Sequence, residues 1–544
     1  MNGPSSEAYD FPLLIRHLLH TPLVTRPHQP IVYANQFRYD YRGLNARIHR
    51  LANALDALGV RPGDTVAVMD WDSHRYLECF FAVPMMGAVL HTINIRLSPD
   101  QILYTVNHAD DALILAHADF LPLLSQIRPR FERDVPVVLL QDDQAPKDSD
   151  VIPVAEYEQA LEAAGDHYSF DDFPEHTRAT TFYTTGTTGD PKGVYYSHRQ
   201  LVLHTLGAMA ALGGSADHGR FHREDVYMPI TPMFHVHAWG IPFVASLMGV
   251  KQVYPGRYEA EALLKLIRDE GVTFSHCVPT ILHMLLNHPF ARQVDLSAWK
   301  VVIGGAALPR GLAQQALDLG IDIMGGYGLS ETCPMLVAAQ LDREMLEKTR
   351  EEQLYYRCKA GRPLPLVDIR IVDENMNNLP NDGETTGEVV VRSPWLTRGY
   401  LKNPENSAAL WRGGYLHTGD IGHIDAEGYL KVTDRLKDVI KSGGEWVSSL
   451  LLEDLVSQLP QVSEVAAIGV PDDKWGERPL LLVVPRDGET IGAEDVIAHL
   501  MQFVHQGVIE KWAVPDRIEI VQAIDKTSVG KIDKKRLRQR YGST

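Results

Sequence analysis

The 544-residue sequence predicts an α/β fold: a large N-terminal domain of parallel-sheet α/β subdomains with a small β-rich subdomain, followed by a small α+β C-terminal domain. Three observations carry that prediction. Strand-like and helical patterns alternate through the first third of the chain, as parallel sheets covered on both faces require. The texture changes near residue 361 to short strands and turns. A charged stretch with a double glycine, DRLKDVIKSGGEWV (434–447), then precedes a compact segment of about a hundred residues.

Taken in order, LNARIHRLANALDALGV (44–60) places Leu44, Ile48, Leu51, Leu55 and Leu58 at three- and four-residue steps, which predicts an amphipathic helix ending at Gly59. RPGDTVAVMD supplies a turn and a short apolar strand. A helix around 73–87 and a strand at AVLHTIN (88–94) follow. Ser98 is placed to cap the helix in LSPDQILYTVNHAD, and ALILAH (112–117) is again a strand. Residues 141–178, rich in Asp, Glu and Pro, read as a mostly exposed connection. Further α/β units are VKQVYPG (250–256), a helix at 258–270, VTFSHCVP (272–279), VVIGGAALP (301–309) and IDIMGGYG (321–328). VDIRIVDENMN, GEVVVRSPW and GYLKVTDR make the β-rich piece. Beyond a boundary at Asp434–Asp438 come the strands VAAIGVPD (465–472) and PLLLVVP (479–485) and a helix at 493–505.

Hydrophobic residues make up 45% and charged residues 22%, ordinary for a globular enzyme, and the chain is long enough for two or more domains. A net charge of −18 repels nucleic acid and anionic membrane, with the basic stretch KIDKKRLRQR as the exception. The four cysteines (Cys79, Cys277, Cys333, Cys358) are widely spaced, which argues against a disulfide framework or a zinc site and fits a reducing cytoplasm. The first twenty residues lack an apolar core behind a basic start. The longest apolar run, WGIPFVASLMGV (239–250), falls short of the roughly 20 residues that span a bilayer. The expectation is a cytoplasmic protein with no nucleic-acid partner and no stable membrane insertion.

YTTGTTGDPKG (183–193) exposes backbone and hydroxyl donors with little side chain to block an anion, and so reads as a phosphate cradle. It is not a Walker loop, because Pro191 stands where the second glycine belongs. GGAALP (304–309) and MGGYGLSET (324–332) are each placed just after an apolar strand, where α/β sheets bind ligands. Tyr327 offers a flat face to an adenine and Glu331 a carboxylate to Mg²⁺. Asp420 in HTGDIG and Arg435 in DRLKD suit a ribose diol. TSVGKI holds Lys531 on a glycine turn. Each of these, alone, also reads as an ordinary core, turn or tail residue.

In order and spacing the five motifs together resemble the adenylate-forming superfamily of acyl- and aryl-CoA synthetases, luciferases and nonribosomal-peptide adenylation domains, over nearly the whole chain. TTGTTGDPKG matches that family's phosphate loop without a gap, and YGLSET, TGD and DRLKDVIKSGGE match its later segments. DKTSVGK matches the catalytic segment with Asp525 in place of the usual proline, which puts only local loop geometry in doubt.

The resemblance implies a large AMP-binding domain (1–433), a hinge (434–439) with Lys437 as its pivot, and a small mobile C-terminal domain (440–544) carrying the catalytic lysine, Lys531. It implies ATP, Mg²⁺ and CoA as the small molecules used. The nucleotide would be held by Thr184, Thr185, Gly186, Thr187, Thr188, Lys192, Gly304, Ala306, Gly326, Tyr327, Gly328, Thr332, Asp420 and Arg435, and Mg²⁺ by Glu331 and Thr184. A carboxylate attacks the α-phosphorus of ATP to give an acyl-adenylate, and the small domain then rotates so that Ser442, Gly443 and Gly444 line the channel for the CoA thiol.

PMFHVHAWG (232–240) looks most like the bacterial fatty-acid-CoA synthetases. By that likeness Trp239 gates the acyl tunnel and His235 lies nearest the reacting carboxylate, in a pocket with Val236, Met324 and Gly325. The apolar neighbours Ile241 and Val278 argue against a charged or amino-acid substrate. The expected activity is therefore a fatty-acid-CoA ligase favouring medium to long chains. The alternatives are a ligase for a short-chain, methylthio-alkanoic or aromatic acid, a luciferase-like mono-oxygenase, and a nucleotide-binding protein without catalysis, against which Lys531 and Glu331 count. A homodimer is expected only by analogy with related ligases.

Overall fold

The computed structural model describes residues 7–142, 149–184, 190–435, 438–442, 445–472, 474–527 and 531–542. Among the described residues the strands form four sheets. The largest has nine strands, with a parallel centre running from Asp322–Gly328 through Lys300–Ile303, Phe274–Cys277, Val226–Ile230 and Lys251–Tyr254 to Pro30–Tyr33. A seven-stranded sheet is parallel except at its last pair, Arg178–Thr184 and Lys192–Ser197, which form an antiparallel hairpin around the phosphate-loop motif. Apolar runs such as Thr65–Met69 and Val89–Thr92 are buried along their whole length, as strands covered on both faces must be.

The helices follow their sequence signals. Asp40 caps Tyr41–Ala57, whose Leu44, Ile48, Leu51 and Leu55 face the core. Ser98 caps Pro99–Ala109 and forms a reciprocal capping box with Gln101. The third sheet, of five antiparallel strands, includes Asp368–Val372, Gly387–Arg392, Tyr415–Ile424 and Leu430–Arg435. The chain passes from it to the fourth sheet between Arg435 and Ile440, and Ile440–Ser442, Val462–Asp472 and Gly476–Pro485 belong to that fourth sheet. Leu436 and the expected pivot Lys437 lie outside the described residues. No described helix is long and apolar enough to cross a membrane.

Two expectations are corrected. Residues 141–178 are not simply an exposed connection, since Ala155–Glu156 adds a strand to the seven-stranded sheet and Tyr157–Ala163 is a helix burying Tyr157 and Leu161. The polar composition concealed a bolt. Glu78, fully buried, accepts from Arg47 Nε at 2.7 Å, the Tyr157 hydroxyl at 2.6 Å and the Tyr39 hydroxyl at 3.1 Å, while Arg47 also reaches Glu158 at 2.8 Å. Secondly, MGGYG is not a loop after a strand but the end of the strand Asp322–Gly328 itself. Its glycines admit crossing backbone: a Cβ on Gly325 would lie 2.3 Å from the Lys359 carbonyl oxygen, and one on Gly328 would lie 1.8 Å from that of Pro334.

Replacing Glu78 by alanine leaves the Arg47 charge and two hydroxyls without their buried acceptor. The variant is expected to lose about 3–5 kcal/mol, read as a lowered urea midpoint.

Candidate active site

The four glycine-rich or charged motifs of the large domain converge on one region: three end or follow a strand, and HTGDIG lies within the strand Tyr415–Ile424. Thr184 closes one arm of the phosphate-loop hairpin and Lys192 opens the other, directly opposite in register. Thr185, Gly186, Thr187 and Thr188 at its tip lie outside the described residues. Lys192 Nζ donates to Asn406 Oδ1 at 2.9 Å and sits 5.0 Å above the Tyr400 ring. The Tyr400 hydroxyl donates to Glu331 Oε1 at 2.8 Å. Burial, and then the Glu331 charge, push the Tyr400 phenol up and keep it a donor.

Tyr400 and Asn406 belong to the turn-rich piece RGYLKNPEN and were missed in the sequence. Nothing in local spacing ties Tyr400 to Glu331, 69 residues earlier. Backbone contacts hold the same piece in place: Leu401 N–H donates to the Gly193 carbonyl at 2.8 Å, and Thr397 N–H to the Glu331 carbonyl at 3.0 Å.

Tyr327 donates its hydroxyl to Asp420 at 2.6 Å, and Arg435 Nε lies 3.1 Å from the other Asp420 oxygen. Asp420 and Arg435 are paired in register on neighbouring strands. The structure thus brings together the three residues expected at adenine and ribose. Thr332 differs: it is fully buried, and its hydroxyl accepts from Leu329 N–H at 2.9 Å instead of facing open space. Gly304, which follows the strand Lys300–Ile303, is buried under Trp239, and Ala306 is exposed.

Two of the residues expected at the acyl pocket, Val236 and Trp239, stand on a strained turn, while Met324 and Gly325 lie in the strand Asp322–Gly328. Val236, His237, Ala238, Trp239 and Gly240 all have φ between 47° and 71°, a left-handed run that L-residues adopt at a cost on the order of 1 kcal/mol each. Its entry is held by bonds from elsewhere. Asp72 Oδ1 accepts from Met233 N–H at 2.8 Å, and Thr92 Oγ1 donates to the Phe234 carbonyl at 2.9 Å. The Trp239 indole stacks on His276 with ring centres 5.0 Å apart. It also covers Gly304 so closely that a Cβ there would lie 2.9 Å from the ring. Met324 is buried with its sulfur against Gly219.

Lys531 reaches this region from the small domain. Its Cε would lie 3.2 Å, and its Nζ 3.9 Å, from a Cβ on Gly305. Burial drives the His235 imidazole down to about 3, and the Lys531 and Arg96 charges add to the effect, so His235 is neutral near pH 7. Ser442 is buried beside Arg478, which donates to its hydroxyl at 3.2 Å, and Gly443 and Gly444 lie outside the described residues.

The donor set suits Mg²⁺. Glu331 supplies a hard carboxylate oxygen and Thr184 a hydroxyl. Mg²⁺ keeps waters and substrate phosphates among its ligands, so it needs only one or two protein oxygens. Among the described residues no group of three or more His, Cys, Asp or Glu gathers into a cage for an ion.

Comparison with known proteins agrees with this architecture. The AMP-binding enzyme family matches residues 21–401, and the AMP-binding enzyme C-terminal domain matches 451–531. The chain is 41% identical over 522 residues to a long-chain-fatty-acid–CoA ligase of Thermus thermophilus, covering 95% of this chain and 92% of the relative. It is 38% identical to a 3-methylmercaptopropionyl-CoA ligase of Ruegeria pomeroyi, covering 92% of each. The crystal structure of ATP-bound MatB from Rhodopseudomonas palustris superposes with a TM-score of 0.82 at 25% identity, over 98% of this chain and 99% of that one.

Five histidines, His198, His204, His235, His237 and His276, are held down to about 3 by burial. The unfolded chain takes up these protons near the ordinary 6.5, and the native chain does so only near 3. Stability from this source is therefore complete above pH 6.5 and is lost as pH falls, by about 1.4 kcal/mol per pH unit for each histidine. The apparent Tm should be flat from pH 7 to 8 and fall steeply below pH 6, as read by scanning fluorimetry.

Proposed function

Because the chain belongs to the AMP-binding enzyme family, we propose that it is an AMP-forming acid–thiol ligase, a fatty-acid-CoA ligase converting a medium- to long-chain acid, ATP and CoA to acyl-CoA, AMP and pyrophosphate. The observation that carries this reading is the meeting of Lys531 with Gly305 beside neutral His235. A carboxylate approaching an α-phosphate meets like charge, and Lys531 is the point cation that offsets it. His235, uncharged and half-buried, borders the acid without competing for its charge.

Lys192 and the threonine loop draw on the β- and γ-phosphates as pyrophosphate leaves, and Glu331 and Thr184 would hold the Mg²⁺ that neutralises phosphate charge. Asp420 accepts from the ribose hydroxyls, with Arg435 and Tyr327 fixing its carboxylate. After adenylation the small domain turns about the 434–439 hinge at Lys437. Lys531 then withdraws, and Ser442, Gly443 and Gly444 line the CoA channel. The four free cysteines fit a reducing cytoplasm, and a homodimer is carried over by analogy with related ligases.

The long-chain assignment draws on the apolar surroundings of Trp239 and on the Thermus relative. A short sulfur-containing acid is the second reading, supported by the Ruegeria relative. Pyrophosphate release across a panel of acids, with and without CoA, separates the two by chain length. Acid-dependent release that never yields a thioester would sink both.

Lys531→Ala is expected to slow adenylation by about a hundredfold or more while largely sparing thioester formation from supplied acyl-adenylate. Parallel loss of both half-reactions would refute that role. Trp239→Ala is expected to change chain-length preference, and an unaltered acid profile would discard the gate.

A further inference from the structure

The helix Arg310–Asp318 starts directly after the GGAALP loop, and its N-cap position is Pro309, which has no side-chain acceptor to offer. The acceptor comes from the small domain. Asp454, on the helix Ser449–Ser457, takes the Arg310 backbone N–H at 3.1 Å. Beside it the Ser457 carbonyl oxygen lies 3.0 Å from where a Cβ on Gly311 would stand, so a larger residue at 311 would press on the seated helix. The C-terminal end of one helix thus meets the N-terminal end of the other, and the Asp454 carboxylate, disfavoured by the negative end of its own helix, finds its favourable partial charge at the N-terminus of Arg310–Asp318. The Arg310 guanidinium is turned to Glu351 in its own domain, so the docking contact is the backbone N–H. At the other end of the same loop stands Lys531, against Gly305. The small domain therefore grips the stretch 304–311 at both ends.

We propose that Asp454 is a positioning residue for adenylation. It supplies from the small domain the cap that the large-domain helix lacks, and thereby seats the small domain where Lys531 meets the loop 304–311. This rests on the ligase reading for the role of Lys531. Once the small domain turns away, the contact is broken and water takes over the Arg310 N–H. The cap therefore stabilises one orientation of the domains and not the other. Gly311 belongs to the same device, because its missing side chain lets the Ser457 end of the helix approach.

The test uses the full-length enzyme carrying Asp454→Ala, Gly311→Val or Asp454→Asn. Two rates are measured in each: acid-dependent ATP–pyrophosphate exchange, and thioester formation from supplied acyl-adenylate and CoA. Loss of a cap predicts an exchange rate about five- to tenfold lower in Asp454→Ala, with thioester formation unchanged. Gly311→Val should show the same split, and Asp454→Asn, which keeps an acceptor oxygen, should recover most of the exchange. Equal loss of both half-reactions, or no loss in either, overturns the proposal. Hydrogen exchange at the Arg310 and Gly311 amides gives a readout independent of turnover. It should quicken in Asp454→Ala, and unchanged protection there overturns the contact. A wild-type enzyme with no acid-dependent exchange would instead count against the ligase reading, leaving the amide measurement to judge the cap.

Discussion

The nine-stranded and seven-stranded sheets meet at Asp72, and the proposed acid site hangs on that junction. Asp72 follows the strand Thr65–Met69 of the smaller sheet. Its backbone carbonyl accepts from Gly256 N–H at 2.8 Å, just beyond the strand Lys251–Tyr254 of the larger one. Its carboxylate accepts from Met233 N–H and from the Tyr258 hydroxyl. Burial raises this carboxyl to about 7, in spite of those donors and of the Arg96 charge. A costly buried carboxylate is kept where it binds one sheet to the other and fixes the entry of the left-handed turn 236–240. Trp239 takes its position from that turn, and His235 stands immediately before it.

At the candidate site charge is arranged against the character of the whole chain. A protein of net charge −18 has to bring a carboxylate to a triphosphate, and the cations proposed to meet them are placed one by one. Lys192 is held by Asn406 and the Tyr400 ring, Arg435 by Asp420, and Lys531 is carried in by a separate domain. The histidines facing the apolar side are uncharged. The positive field is thus local to the reacting groups, and the acyl side remains apolar, which suits an acid with a hydrocarbon tail.

Much of the architecture was legible in the sequence because local rules decide it. The helix Tyr41–Ala57 follows from leucines at helical steps and Pro99–Ala109 from Ser98 as its cap. The misreadings arose where partners are distant in sequence. Tyr157 and Glu158 looked like part of a solvated connection until Glu78 and Arg47 were found beneath them. The glycines of MGGYG read as a loop following a strand and instead end the strand. Two of them, Gly325 and Gly328, are glycines because the carbonyls of Lys359 and Pro334 pass where a Cβ would lie.

By itself the sequence determined the fold class and the order of the motifs, since composition, periodicity and short spacings are properties of neighbouring residues, and the kind of chemistry followed from the likeness of those motifs to a known family. Only the tertiary structure decided which groups touch. Tyr400 on Glu331, Asp72 on Met233, Trp239 over Gly304 and Asp454 at the head of Arg310–Asp318 each join residues from separate elements. Such contacts are made by sheets and domains packing against one another, and no pattern along a single stretch of chain records them.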